Sequence, residues 1–164
     1  MDCVDVLDFI KPGHIVCEIG CRTGLSTKLF LEAGAIVYTI DPWIEYMEYR
    51  ERVNGNWYYQ AMERLAPFGS KVIILRMMSN EAVPFIPMCD LIWIDGNHDY
   101  NFVLKDMEMY WDKVKSGGYL SGDDYHMEEH PDVKDAVNFF VEKNKLNLDI
   151  LGRSWIIKKE TNEY

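Results

Sequence analysis

The sequence is poor in positive charge. Its 164 residues include 17 lysines and arginines against 27 aspartates and glutamates, a formal charge of −10. Proteins that hold nucleic acid present a basic face, because neutralising phosphates supplies most of the non-specific affinity. The scattered cations here make no such face, so a stable nucleic-acid partner is not expected. No apolar run approaches the ~18 residues of a membrane span, and no leader-like pattern opens the sequence. Membrane association is therefore not expected either. The four cysteines, Cys3, Cys17, Cys21 and Cys89, form neither a disulfide framework nor paired C-x-x-C clusters for zinc. Two of them fall in or next to strands, where free cysteine behaves as a small apolar residue. A reducing, cytoplasmic setting is expected. Repeats, low-complexity tracts and linkers are missing, which leaves one domain over residues 1–164.

What is present is an alternation of short β-branched runs with amphipathic helices, the pattern of a parallel α/β sheet. Strands are expected at Ile15–Ile19, Ala35–Ile40, Val72–Leu75 and Leu91–Ile94, with a helix over about Ser26–Ala33 closed by Gly34. A second helix is expected from about Asn101 to Val114, stopped by Gly117-Gly118, after which Tyr119-Leu120-Ser121 begins a fifth strand. Asp132 looks like the cap of a helix whose face is Val133, Ala136, Val137, Phe140 and Val141. Leu148–Leu151 and Trp155–Ile157 flank Gly152-Arg153 as an antiparallel hairpin at the sheet edge. The stretch from Trp43 to Phe68, with Tyr46, Tyr49, Trp57, Tyr58 and Tyr59, suggests two short helices with a break. Its aromatics suit a core, a substrate pocket or a subunit contact.

The first strand runs into Glu18-Ile19-Gly20-Cys21-Arg22-Thr23-Gly24, a glycine turn that opens a helix. Asp41 follows 21 residues after Gly20, at the end of the next strand. In a βαβ unit that carboxylate reaches the crevice and can accept both ribose hydroxyls. A dinucleotide fingerprint wants a glycine at the position of Arg22, where the pyrophosphate meets backbone. Glu18 would also repel phosphates. A phosphate-free nucleoside with an ammonium group, such as S-adenosylmethionine, suits the turn better.

Asp95-Gly96-Asn97-His98-Asp99 follows the fourth strand and Gly122-Asp123-Asp124 the fifth. Ligands of open parallel sheets bind outside the carboxyl ends of the strands. Asp95, Asp123 and Asp124 would therefore converge, and clustered carboxylates repel unless protons or a cation intervene. Magnesium or another hard divalent cation is the natural partner. Coordination lowers the pKa of an acceptor hydroxyl, and His98 or Asp99 could then act as the base. The bland alternatives are a capping Asp95, a solvated Asp123-Asp124 loop, and a His98 bonded to a backbone carbonyl. His126-Met127-Glu128-Glu129-His130 matches the H-x-x-E-H string of some zinc proteases. That string works only on a helix, and here it sits in a loop before Pro131, so a substrate-side loop is expected, with His126 the candidate for a place near the metal.

The strings EIGCRTGLST, TIDPW, DLIWIDGNHDY and SGGYLSGDDY, in this order over roughly Ile15 to Tyr125, resemble class I methyltransferases. More narrowly they resemble the small-molecule O-methyltransferases of the methyltransferase-24 type, which include antibiotic-sugar enzymes. The resemblance implies a Rossmann-like, mostly parallel sheet with a C-terminal antiparallel hairpin. It implies S-adenosylmethionine bound at Glu18, Gly20, Gly24, Ser26 and Asp41, with Ser79 on the adenine side. Cys21, Thr23, Trp43 and Asp95 complete the expected cofactor set. It also implies Asp95, Asp123 and Asp124 as metal ligands. The group often carries aspartate where Asn97 stands, and asparagine cannot take a proton at neutral pH. Only about fourteen residues precede the first strand, so the pocket for a small-molecule acceptor, a sugar among the options, must come from the aromatic segment, the loop after Asp124 or a second subunit of a homodimer. Three readings stay open: a metal-assisted O-methyltransferase, a metal-independent methyltransferase, and a non-catalytic nucleotide-binding or interaction domain.

Overall fold

A computed structural model describes residues 3–45 and 54–161. Five parallel strands form the body of one seven-stranded sheet: β1 (Ile15–Ile19), β2 (Ile36–Ile40), β3 (Val72–Leu75), β4 (Cys89–Ile94) and β5 (Val114–Gly122). A hairpin of β6 (Leu148–Leu151) and β7 (Ser154–Lys158) completes it, and β7 runs antiparallel to β5. The order is β3-β2-β1-β4-β5-β7-β6. This is the expected Rossmann-like arrangement. The chain winds outward from β1 in one direction to β3, then returns to lay β4 on the other side. That reversal leaves a crevice beyond the carboxyl ends of β1 and β4, the place where α/β sheets bind ligands.

Among the described residues five α-helices cover the sheet: α1 (Leu25–Glu32), α2 (Trp57–Leu65), the single turn α3 (Ser79–Ala82), α4 (Tyr100–Tyr110) and α5 (Pro131–Asn144). Because strand side chains alternate between faces, the near-continuous apolar runs fill two cores. Cys17, Ile19, Ile92, Ile94 and Leu120 pack on one side against Met107, Tyr110, Val137 and Phe140 of α4 and α5. Val16, Val37, Leu91 and Trp93 pack on the other against Phe30, Leu65 and Val6. Glu18 shares the second face with Val16, which decides its fate below. Among the described residues no helix is long and apolar enough to cross a membrane.

Three local expectations are corrected. The fourth helix ends at Tyr110, and a 3-10 turn over Trp111–Lys113 leads straight into β5 at Val114. Gly117 and Gly118 lie inside that strand, where the register against β4 shifts between Cys89 and Leu91. A bulge, rather than a helix stop, is what the glycine pair serves. Asp132 is not the cap of α5: His130 occupies that position and Pro131 opens the helix, where its missing N–H costs nothing. Asp132 instead accepts the backbone N–H of Tyr100 at 3.3 Å, tying α5 to the start of α4. Of the aromatic segment, α2 is one of the two expected helices; the other, with Tyr46 and Tyr49, lies outside the described residues.

Candidate active site

Gly20 ends β1 with its N–H on the Ile40 carbonyl at 2.8 Å and φ +96°. A Cβ on it would lie 2.0 Å from the Asp95 carbonyl oxygen. Only glycine allows this turn, and its absent side chain lets the β1 loop and the β4 end share one crevice. The loop is then held from three directions. Asp41, at the end of β2, accepts the Arg22 N–H at 2.8 Å on one carboxylate oxygen and the Trp43 N–H at 2.7 Å on the other. Trp43 Nε1 donates back to the Arg22 carbonyl at 2.7 Å. Arg64 of α2 donates to the Thr23 carbonyl. Arg22 and Trp43 both have left-handed backbone, φ 51° and 47°, and these bonds offset that cost of roughly 1–3 kcal/mol each. Burial pushes the Asp41 pKa up, against the three backbone N–H groups it accepts.

Glu18 lies beneath the loop, outside the crevice. It is fully buried and accepts hydroxyls from Ser26, Thr27 and Thr39, the last at 2.6 Å. Burial lifts its pKa to about 7, although the three hydroxyls pull the other way. Its work is to join β1, α1 and β2 under the glycine turn. Gly24 starts α1 with φ +76° and packs against Leu65 of α2, again away from the crevice.

The crevice itself is a cavity of about 430 Å³. Of the expected cofactor residues, Gly20, Cys21, Thr23, Ser26, Asp41, Ser79 and Asp95 line it, while Glu18, Gly24 and Trp43 do not. His98 lines it as well; Asp99, at the N-cap of α4, does not. Cys3, Phe102 and Asp106 also line it, and none of these was expected. Asp106 is only 4% exposed, accepts the Ser79 hydroxyl at 2.6 Å, and is pushed by burial to about 7. Its signal in the sequence was a carboxylate on the face of α4 that carries Val103, Met107 and Tyr110.

Beyond the ends of β4 and β5 the acids do gather. Asp95, Asp123 and Asp124 bring carboxylate oxygens within 4.8 Å of one another. Asp124 has left-handed backbone, φ 63°, a conformation aspartate tolerates better than most residues. His98 Nε2 lies 3.0 Å from Asp124 Oδ2 and 3.7 Å from Asp95 Oδ1. Burial alone would lower the His98 pKa, but its bonds to Asp124 and Asp95 and their charges raise it to about 10. Burial would raise Asp124, yet His98 and Arg153 outweigh it and hold that carboxyl below its usual range. Asp123 is lifted to about 7, mainly by burial and further by its two acidic neighbours. Its Oδ2 lies 3.3 Å from Arg153, and its buried Oδ1 has no hydrogen-bond partner among the described residues.

Two residues here escaped the sequence reading. Arg153, expected only as part of a hairpin turn, pairs with both Asp123 and Asp124. His130 stacks on His98 with ring centroids 4.0 Å apart, whereas His126 is exposed and turns its edge to Tyr125. Three converging carboxylates, one with an unpartnered buried oxygen, are a donor set that fits a hard divalent cation.

The structure is an open α/β sheet with a glycine turn after β1, an aspartate at the end of β2 and an acid cluster beyond β4 and β5. Residues 17–125 match the family described as a methyltransferase domain, and the chain belongs to that family. In solved structures the fold resembles CalS11, a calicheamicin methyltransferase, with 15% identity, 94% of this chain and 74% of that one covered, and a TM-score of 0.72. It also resembles the O-methyltransferase from Bacillus cereus in complex with SAH, with 14% identity, coverage of 94% and 78%, and a TM-score of 0.69. At these identities the likeness is one of fold. The uncharacterized protein R132 of Acanthamoeba polyphaga mimivirus is 42% identical over 53 residues, 32% of this chain. The match spans about a quarter, 24%, of that relative's length.

Proposed function

We propose that the chain transfers a methyl group from S-adenosylmethionine to a hydroxyl of a small molecule, with a divalent cation held by Asp95, Asp123 and Asp124. The observation that most supports this is one cavity bordered by the Gly20–Thr23 loop and Asp41 on one side and by Asp95 and His98 on the other. Asp95 and His98 thus share a single space with the glycine loop and Asp41, while Asp123 and Asp124 cluster with Asp95 without lining that cavity. When bound, the donor supplies a methyl on a sulfonium sulfur, and the cation supplies the positive charge that lowers an alcohol's pKa.

Asp41 keeps acceptor capacity for a ribose hydroxyl, since a carboxylate has roughly four lone-pair sites and its backbone donors are Arg22, Trp43 and Cys21. Ser79 and Asp106 form the polar end of the cavity, suited to an adenine amino group. Gly20 brings the loop against Asp95, and orientation of this kind contributes much of the rate of a displacement. Between the two base candidates, His98 faces the cavity. It can take a proton only once the charges of Asp95 and Asp124 are neutralised, because those carboxylates hold its own proton in place. Asn97 accepts the Asp99 N–H at 2.9 Å and so shapes the turn instead of acting as a base.

The test is calorimetric titration with S-adenosylhomocysteine, with NAD as control, each repeated with magnesium. A screen of sugar and phenol acceptors with and without chelator follows. Binding of the first ligand alone, with methyl transfer that chelation abolishes, is the expected result; no binding of it would sink the proposal. A second, metal-free reading has one specific observation behind it, the pairing of Arg153 with Asp123 and Asp124. It predicts methyl transfer that survives chelation and fails in Arg153→Ala.

A further inference from the structure

We propose that the guanidinium of Arg22, seated on the ring of Trp57, is an oxyanion clamp at the mouth of the cavity, and that the methyl acceptor is a small hydroxylated molecule with a carboxylate on an apolar body. The acceptor role rests on the methyltransferase reading above. Binding of the anion does not depend on it.

Arg22 stands where a dinucleotide turn has glycine, and its backbone records the consequence. Its φ is 51°, a left-handed conformation that glycine adopts freely and that strains an arginine. The loop itself makes no use of the side chain. The Arg22 N–H bonds Asp41 and its carbonyl accepts Trp43 Nε1, contacts that any residue but proline could make. The guanidinium instead lies over the Trp57 ring, its central carbon 4.6 Å from the centroid. Stacking occupies a face of the guanidinium plane and leaves its N–H edge for hydrogen bonds. Arg22 is exposed, and among the described residues no carboxylate pairs with that edge. Two parallel N–H donors match the two oxygens of a carboxylate, in a charge-assisted contact roughly twice as strong as a neutral one.

The surroundings select what carries the charge. Arg22 is the only lysine or arginine among the described residues that line the cavity, and the lining carboxylates Asp41, Asp95 and Asp106 repel an anion placed against them. Leu25 and Ile44 line the same cavity while remaining 50% and 52% exposed, and Trp57 is half-buried beside Arg22. These side chains give the mouth an apolar rim, a feature that marks a ligand surface. A carboxylate on an apolar body covers the rim and reaches the guanidinium. A sugar leaves both in water.

The wider charge distribution points the same way. The chain carries −10, yet three of its four described arginines gather around α2 and the glycine loop. Besides Arg22, Arg64 donates to the Thr23 carbonyl and Arg76 lies 4.3 Å over the Tyr58 ring. The Trp43 ring, bonded to the Arg22 carbonyl, meets Tyr58 edge-on at 5.2 Å. The arginines therefore belong to one aromatic cluster, and their summed potential draws anions to this side of the crevice.

The experiment titrates the whole chain calorimetrically with benzoate and with its neutral isostere benzamide, with and without S-adenosylhomocysteine. Benzoate is expected to bind at least tenfold more tightly, with or without the nucleoside. Arg22→Gln and Arg22→Gly should both bring the two ligands within threefold of each other. The glycine variant also relieves the left-handed backbone, so its loss of binding is not loss of folding. Arg76→Gln makes the same charge change nearby and should lower benzoate affinity no more than threefold. As acceptors, hydroxybenzoates should exceed the matching hydroxybenzamides at least tenfold in kcat/KM. Equal affinities in the wild type, a preference that survives both Arg22 variants, or methylation of neutral acceptors alone would overturn the proposal. Benzoate excluded by S-adenosylhomocysteine would also overturn it, by assigning Arg22 to the donor's own carboxylate. Nucleoside binding without a benzoate preference sinks only the clamp, and a benzoate preference without nucleoside binding sinks only the methyltransferase reading.

Discussion

Replacing Asp106 by asparagine should stabilise the protein increasingly as pH rises. The carboxyl is 4% exposed and its pKa is carried from 3.8 to about 7, chiefly by burial. A raised native pKa means the folded state binds the proton more tightly than the unfolded chain. Stability is then full below pH ~4 and is lost as pH climbs to about 7. At ~1.36 kcal/mol per unit, the three-unit shift corresponds to on the order of 4 kcal/mol above pH 7, of which about half is lost between pH 5.5 and 8. Asparagine keeps an acceptor for the Ser79 hydroxyl but never ionises. Its extra N–H₂ brings a desolvation cost of roughly 1 kcal/mol that does not depend on pH. The assay is urea unfolding of both proteins at pH 5.5 and pH 8, followed by tryptophan fluorescence. Glu18 and Asp123 titrate in the same range, but their contributions cancel in the wild-type-minus-variant difference when sites are independent. The variant's relative stability should grow by about 2 kcal/mol between the two pH values. A difference that stays constant within ~0.5 kcal/mol would refute the idea that this buried carboxyl resists ionisation.

Gly20→Ala should prevent the β1 and β4 ends from closing, since its Cβ would overlap the Asp95 carbonyl at 2.0 Å. A loss of at least ~3 kcal/mol is expected from overpacking plus positive φ, read as a lowered unfolding midpoint or insoluble expression. Asp41→Ala should weaken S-adenosylhomocysteine binding at least tenfold in calorimetry, and Asp41→Asn less, because the amide oxygen still accepts one loop N–H. Asp123→Asn should leave the fold intact and abolish metal-dependent methyl transfer; a circular dichroism spectrum like the wild type's with activity below one-tenth is the expected pair of readings.

Much of the crevice beside the glycine turn was legible because its determinants are local. Gly20 needs a positive φ, Asp41 ends a strand of β-branched residues, and both facts are visible in a few neighbouring letters. Glu18, expected at the cofactor, is buried and does not line the cavity. Strand alternation puts it on the face of Val16, under α1, where three hydroxyls receive it. The acid cluster was legible for a similar reason, since β4 and β5 are each followed by aspartate at the end of the sheet where ligands bind. His130 and Arg153 were not. One follows a loop and the other a hairpin turn, and nothing in their neighbours says that both come near Asp124.

The sequence by itself determined the strands, the glycine turn and the acids that follow the strands, because these follow from side-chain periodicity and from backbone conformations only certain residues adopt. Tertiary structure alone decided which groups share the cavity and what charge they carry. Burial raises the Asp106 pKa, whereas against burial His98 and Arg153 lower that of Asp124, and Asp124 and Asp95 raise that of His98. Those energies depend on distances between elements, which no local pattern encodes.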